Sequence, residues 1–569
     1  MLTERIKVAR GETKADLLFT NGRVIDVYGN SIVQQDVAVW QDRIIGIGPG
    51  YRAKQTVDLQ GACISPGFID AHVHIESSMV EIPQFTRAVL PIGTTTVVTD
   101  PHEIANVLGY EGIRYMMDSA KHNPLNVYFM LSSCVPSTHL ETSGSQLRAF
   151  DILPLLESKW ILGLAEMMNY PGVLNRDQDV MDKLGIVGSK RVDGHAPGLS
   201  GKDLNAYIAA GVESDHECTT AEEAEEKLRC GMYIMIREGS GAKNLQALLP
   251  LVNQNNERRF MFCTDDRHPH DILKEGHINY IIRQSVRLGL PPITAIRMAT
   301  LNPAEYFNLR LLGAIAPGKM ADLVIFEDFE SMAIQQVYKN GKLVASKGKP
   351  VYKVPDYKVN PVRSSVNIKW LEGGEFQIPA TGKKARVIEI IPDQIVTKEL
   401  ITPVSSCNGL VESDTEHDIL HFYVLERHRA TGNIGKGLVK GFGLKQGAVA
   451  TTINHDSHNL AVLGVDEHDI EKAVITLNKI GGGIAVVCNR EVVDVLELPI
   501  AGLMSHQPLE TISKRMHKIT ESIKALGCEL DDPVMLLSFL ALPVIPQLKL
   551  TDKGLVDVSL FKHVDLFVK

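Results

Sequence analysis

His72 and His74 stand two residues apart in Pro66-Gly67-Phe68-Ile69-Asp70-Ala71-His72-Val73-His74. The apolar approach of Phe68 and Ile69 predicts a β-strand, and on a strand both imidazoles point to the same side. Two imidazoles on one side at a strand end make half of a divalent metal site. Further donors follow in order along the chain. Glu166 closes the apolar run Ile161-Leu162-Gly163-Leu164-Ala165, His195 follows Val192-Asp193-Gly194, His216 lies in Glu213-Ser214-Asp215-His216-Glu217, and Asp265 follows Phe262-Cys263-Thr264. A lone histidine at a strand end is often only a hydrogen-bonded structural residue. Taken in this order after the His-x-His pair, the two become candidate ligands. A binuclear hydrolase needs this inventory: histidines, a bridging carboxylate, and a base beside the activated water.

The elements that must position these residues follow from the alternation around them. From 67 to 310, apolar runs such as Thr94–Thr99, Val127–Leu131, Tyr233–Ile236 and Arg259–Cys263 alternate with helical segments such as Thr220–Leu228. That alternation predicts a (β/α)8 TIM-like barrel, whose chemistry sits at the C-terminal strand ends. Before it, residues 15–66 read as short strands. Asp16–Thr20 and Arg23–Val27 flank Asn21-Gly22, a favourable hairpin turn. Asp36–Trp40 and Arg43–Ile47 form a second pair about Gln41-Asp42. After the barrel the β pattern returns, with another hairpin about Asn340-Gly341. The expected fold class is therefore α/β, with a small β-sandwich built from 1–66 and 311–350 and the barrel spanning 67–310. A Pro-punctuated linker spans 351–385, and a C-terminal α/β domain spans 386–569. Gly481-Gly482-Gly483 precedes a strand instead of opening a helix, so it reads as a turn and not a phosphate loop.

The chain has 569 residues, long enough for two to four domains, and a net charge of −9. It has no basic block interleaved with aromatics, which argues against a nucleic-acid partner. Its eight cysteines form no C-x-x-C pair, which favours a reducing compartment. The N-terminus lacks the apolar core of a signal peptide. The apolar stretch Val534–Ile545 is too short to span a bilayer. A cytoplasmic protein with no membrane association is expected.

Pro66-Gly67-Phe68-Ile69-Asp70-Ala71-His72-Val73-His74 resembles the first-strand signature of the amidohydrolase superfamily, metal-dependent hydrolases on a (β/α)8 barrel. Glu76-Ser77-Ser78-Met79, Asp100-Pro101-His102-Glu103-Ile104-Ala105-Asn106-Val107 and Cys263-Thr264-Asp265-Asp266-Arg267-His268-Pro269 resemble its adenine deaminase branch. The similarity runs through nearly the whole chain. It implies hydrolysis of adenine to hypoxanthine and ammonia, with two divalent metals held by His72, His74, Glu166, His195, His216 and Asp265. Many members bridge their metals with a carboxylated lysine. This chain departs from them, with Glu166 in that place. The resemblance makes Asp265 the group that takes the water's proton. Asp266 and Asp100 are candidates for holding substrate. Asp100, His102 and Glu103 could contact the purine, relay protons, or form a loop-stabilising network. Nitrogen and oxygen ligands suit zinc, iron and manganese alike, and the resemblance favours manganese or iron(II). A homodimer or larger homo-oligomer is expected. The rival enzyme reading is a cyclic-amide hydrolase of dihydropyrimidinase type. A mononuclear deaminase is weakened because the acidic residue expected three places after the mid-barrel histidine is Gly198. In the tail, His455-Asp456-Ser457-His458-Asn459 and Glu426-Arg427-His428 could bind metal, but a structural or subunit-contact role is favoured.

Overall fold

The strand Phe68–His74 is buried at every residue, as a parallel strand covered on both faces must be. It lies inside a six-stranded parallel sheet ordered Arg191–Gly194, Ile161–Met167, Asn126–Leu131, Thr94–Thr99, Phe68–His74, Asp265–Asp266. A second parallel sheet runs Ser214–Asp215, Tyr233–Arg237, Phe260–Cys263. Helices separate all successive strands here except Phe260–Cys263 and Asp265–Asp266. Ala221–Arg229 is one of them, capped by Thr220 accepting the Glu223 N–H. The fold is mixed α/β and TIM-like, with a C-terminal domain. This computed structural model describes residues 2–354, 362–392 and 394–568. The middle of the expected linker, 355–361, lies outside the described residues.

The flanking β structure corrects one expectation. Asn21-Gly22 does not close a hairpin. Ala15–Thr20 pairs with Val37–Trp40 and Ala53–Asp58 in a four-stranded sheet. Arg23–Asp26 pairs with Ser31–Gln34 and Cys63–Pro66 in a seven-stranded sheet. Asn21 does adopt the left-handed φ of 56° that a tight turn uses, but other strands occupy the pairing edges on both sides of it. A Cβ at Gly22 would come within 2.4 Å of Leu59 Cδ1, so the chain turns a packed corner between two sheets. The other two pairs form as expected, Val37–Trp40 with Arg43–Ile47 and Ile334–Lys339 with Lys342–Ser346. The seven-stranded sheet takes strands from both sides of residues 67–310.

The C-terminal part is built on a nine-stranded, mostly antiparallel sheet whose first strand in the chain is Lys384–Ile390. Gly481 ends the helix Glu467–Ile480 at a φ of 81°, and the next strand begins at Gly483. The triple glycine is thus a turn. Loops of this part hydrogen-bond to the loops that follow the parallel strands. Ser505 N–H donates to Met79 C=O at 2.8 Å, and Thr142 N–H donates to Asp552 Oδ1 at 2.8 Å. Among the described residues, no helix is long and apolar enough to cross a membrane.

Candidate active site

His72 and His74 end their strand side by side, with Nε2 atoms 3.1 Å apart. Asp265 Oδ1 lies 3.3 Å from the first and 3.1 Å from the second. Glu166 Oε1 lies 3.2 Å from His74 Nε2, while its Oε2 lies 2.5 Å from His195 Nδ1 and 3.3 Å from His216 Nε2. All six sequence-predicted ligands therefore meet at one place. All are buried except His195, whose side chain is 26% exposed.

Their local anchors explain the convergence. His74 Nδ1 lies 3.0 Å from Asp100 C=O. A carbonyl can only accept, so Nδ1 carries a proton there and Nε2 is the nitrogen turned toward the carboxylates. Asp70, on the same side of the strand, accepts the Thr264 N–H at 3.1 Å and the Thr264 hydroxyl at 2.5 Å. That ties the first strand to the segment bearing Asp265. Asp265 has a φ of 56°, a left-handed conformation that aspartate tolerates better than most residues. Lys227, fully buried, donates to Ala196 C=O at 2.7 Å and to Asp215 Oδ2 at 3.1 Å. It thereby holds the loops that carry His195 and His216.

The electrostatics match a cation site. Burial alone would raise the Asp265 carboxyl, but Arg237 and the two imidazoles outweigh it and hold the group well below the usual carboxylate range. Burial likewise opposes ionisation of Glu166, and His195, His216 and His74 overcome it. The buried His216 Nε2 has no oriented hydrogen bond. Two imidazole nitrogens facing each other at 3.1 Å cannot both carry a proton there without repulsion. With carboxylate oxygens around them they fit a divalent metal.

Asp100 and His102 lie beside this cluster. Asp100 Oδ1 accepts the Ser132 hydroxyl at 2.9 Å, and Oδ2 faces His102 Nδ1 at 3.0 Å. His102 Nε2 lies 3.4 Å from Glu103 Oε1. Asp266 turns from the ligands and accepts the Ser77 hydroxyl.

An amidohydrolase family profile matches residues 63–344, and an adenine deaminase C-terminal domain profile matches residues 394–562. The chain is 51% identical to an adenine deaminase of Desulfatibacillum aliphaticivorans over 564 residues, covering 99% of both proteins. It is 50% identical to adenine deaminase 2 of Carboxydothermus hydrogenoformans over 564 residues, again covering 99% of both. The chain belongs to the adenine deaminase family of amidohydrolases. An adenine deaminase of Methanothrix thermoacetophila is 46% identical over 577 residues, the full length of both proteins. The dihydropyrimidinase-type reading is not favoured beside these full-length adenine deaminase relatives.

Sequence reasoning missed several residues of this adenine deaminase family site. Arg237 donates to Asp265 Oδ2 at 2.9 Å and to both oxygens of Glu217, and Glu217 Oε1 lies 3.6 Å from His195 Nδ1. A charge closing the apolar run Tyr233–Ile236 at a C-terminal strand end was the available signal. The tail histidines were named from the sequence, with a structural or subunit-contact role favoured, but their partner Glu103 within the chain was not. His455 Nδ1 lies 2.9 Å from Glu103 Oε1, and His458 Nε2 lies against Glu103 Oε2. Arg427, fully buried, donates to the carbonyls of Ser365, His458 and Ala501, which pins that loop. No local pattern announces a contact between residues 352 positions apart.

Proposed function

We propose that this chain deaminates adenine: adenine and water give hypoxanthine and ammonia. The observation that carries the reading is the convergence of His72, His74, Glu166, His216 and Asp265 in a chain whose full-length relatives are adenine deaminases. His72, His74, Glu166, His195, His216 and Asp265 would hold two divalent ions, manganese or iron(II), with zinc a chemical alternative. Bound there, the ions would lower the pKa of water so that a nucleophile exists near neutral pH.

The chain's own groups do the rest. Glu166 spans the two halves of the ligand set, Oε1 toward His74 and Oε2 toward His195 and His216. Asp265, with one oxygen held by Arg237, keeps the other toward His72 and His74. From there it takes a proton from the attacking water and passes it to the departing amino group. Burial disfavours a charged His102, but Asp100 outweighs burial and keeps the ring protonated. His102 is thereby placed to donate a proton to the ring nitrogen beside the reacting carbon. Glu103 faces the substrate, and Asp266 with Ser77 lines its approach.

The two parallel sheets form the arcs of one (β/α)8 barrel, a reading supported by the Glu213 N–H donating to Val192 C=O across one gap at 3.0 Å. The β-sandwich comprises 1–66 and 311–350, the barrel 67–310, the linker 351–385 and the C-terminal domain 386–569. Eight free cysteines fit a reducing cytoplasm, and the working unit is a homodimer or larger. The test is ammonia release from adenine, adenosine, cytosine and dihydrouracil by metal-loaded protein, with metal content measured alongside. Adenine should be strongly preferred. Turnover of dihydrouracil but not adenine would overturn the reading.

A further inference from the structure

His277 is fully buried, and its ring meets side chains from three successive places in the parallel sheet. Its Nε2 lies 3.3 Å from Asp70 Oδ2, on the strand Phe68–His74. The same nitrogen lies 3.4 Å from the hydroxyl of Thr264, the residue that joins Phe260–Cys263 to Asp265–Asp266. Its Nδ1 lies 2.9 Å from the hydroxyl of Thr94, which begins the strand Thr94–Thr99. Phe85 packs edge-on against the ring, with centroids 5.6 Å apart. The turn that carries this ring is clamped by the segment after Asp265. Arg267, also buried, donates to Gly276 C=O at 2.9 Å and to Glu238 C=O at 2.7 Å. Gly276 has a φ of 116°, which glycine adopts without strain, and His277 N–H donates to Asn279 Oδ1 at 2.9 Å.

The protons of this network can be placed. Thr264 spends its hydroxyl proton on Asp70 Oδ2 at 2.5 Å, so it has none left for His277. The proton between His277 and Asp70 therefore belongs to Nε2. Burial, with Arg267 nearby, pushes the ring well below its ordinary value and keeps it neutral. Nδ1 is then a lone pair, and it accepts the Thr94 hydroxyl. Asp70 thus faces four donors: the Thr264 N–H at 3.1 Å, the Thr264 hydroxyl, the His72 N–H at 3.3 Å, and His277 Nε2. Burial raises the Asp70 carboxyl, and the donors from Thr264 and His72 work against it. The donor from His277 adds to them, because a buried carboxylate is costly unless its lone pairs are met.

Asp265 comes directly after Thr264 and has a φ of 56°. A left-handed residue persists where its surroundings over-determine it. The surroundings here are Thr264 on one side, held by Asp70 and His277, and Arg267 on the other, held by the turn that carries His277. We propose that His277 is a positioning residue for Asp265: its Nε2–H locks Asp70 against Thr264, and that lock sets the approach of Asp265 Oδ1 to His72 and His74. The assignment rests on the adenine reading above, in which Asp265 takes the proton of the attacking water and passes it on. His277 reaches the site only through Asp70 and Thr264. Its removal should therefore slow the chemical step while leaving metal content and substrate affinity in place.

The test is a set of variants of the manganese-loaded protein, with kcat and KM for adenine and metal content measured on each: His277→Leu, His277→Gln, Thr264→Val, Thr94→Val and the double variant Thr264→Val/His277→Leu. His277→Leu should lower kcat roughly tenfold or more, hold KM within about twofold, and keep the wild-type metal content. His277→Gln, whose side-chain amide replaces the Nε2 donor, should recover part of that loss. The double variant should be no slower than the slower of its two single variants, because both changes break one lock. Thr94→Val removes only the hydroxyl that orients the ring, and it keeps the test decisive if the leucine variant does not fold. Its kcat should fall about threefold with KM held, a smaller loss for a partner one step further out. Wild-type kcat in a folded His277→Leu or in Thr94→Val, a loss confined to KM, loss of a metal equivalent, or losses that multiply in the double variant would each overturn the assignment. If wild type releases ammonia from adenine and one of these results is found, only the role of His277 fails. If it releases none, the adenine reading itself fails.

Discussion

Two buried clusters of histidine and carboxylate lie near each other, and they are built for different partners. His72, His74, Glu166, His216 and Asp265 meet at the strand ends, while Glu103, His455 and His458 meet where the C-terminal domain covers them. Residue types and burial are nearly the same. The difference lies in what the backbone presents to the far nitrogen of the ring. His74 faces the carbonyl of Asp100, so a proton is fixed on Nδ1 and Nε2 is the nitrogen turned toward the carboxylates of Glu166 and Asp265. His458 faces the N–H of Asn454, so its proton goes to Nε2 and the ring becomes a donor. A single backbone group, carbonyl or amide, thus sets which nitrogen of each ring has a fixed proton and which faces its carboxylates.

The sharpest way to break this contrast is to remove one histidine from each cluster. His74→Ala should lose metal and activity together with the fold retained, whereas His458→Ala should keep its full metal complement. Elemental analysis of both proteins, purified without chelator, decides it. Equal metal loss in the two would erase the distinction. Next in size, Glu166→Gln keeps the side chain's volume but removes its charge from between His74 and His216. Activity should fall about 100-fold, with weaker metal retention on dialysis. A Glu166→Gln protein with two tightly held ions and normal turnover would place the bridge elsewhere.

Arg237→Met tests the support of the metal cluster from outside. It frees Asp265 Oδ2 and Glu217, and kcat should drop about tenfold while KM changes little, the scale expected when a ligand loses its orienting partner. Lys227→Met leaves Asp215 buried without its cation. It should cost roughly 3–5 kcal/mol of stability, read from denaturant melts, and weaken metal binding through the loops of His195 and His216.

The smallest effect concerns the junction. Burial disfavours a charged His455, but Glu103, with Asp266 and Asp456, raises it to about 9. A histidine raised in the folded state stabilises fully below its ordinary value of 6.5 and loses that contribution as pH rises through 9. The melting-temperature gap between wild type and His455→Asn should therefore be widest near pH 6 and close above pH 9. A gap that does not change with pH would show that His455 is held neutral.

Much of the site was legible because short-range periodicity carries it. A period of two puts His72 and His74 on one side of a strand, and apolar runs ending in Glu166, His195 or Asp265 mark strand ends in a parallel α/β fold. The flanking strands at 37–47 and 334–346 were legible for the same reason, since tight turns are local. Asn21-Gly22 shows the limit. Its turn geometry formed, but strand pairing depends on which edges remain free after packing, and no dipeptide encodes that. Arg237 and Glu217 were hidden because an ion pair is specified by two loops meeting, not by either sequence. The contact the tail histidines make was hidden most deeply. Their loop reaches Glu103 only because the C-terminal sheet packs its loops over the strand ends. Sequence alone determined which side chains could ligate a cation. The tertiary structure alone decided which backbone group faced each ring, and so which nitrogen kept its proton.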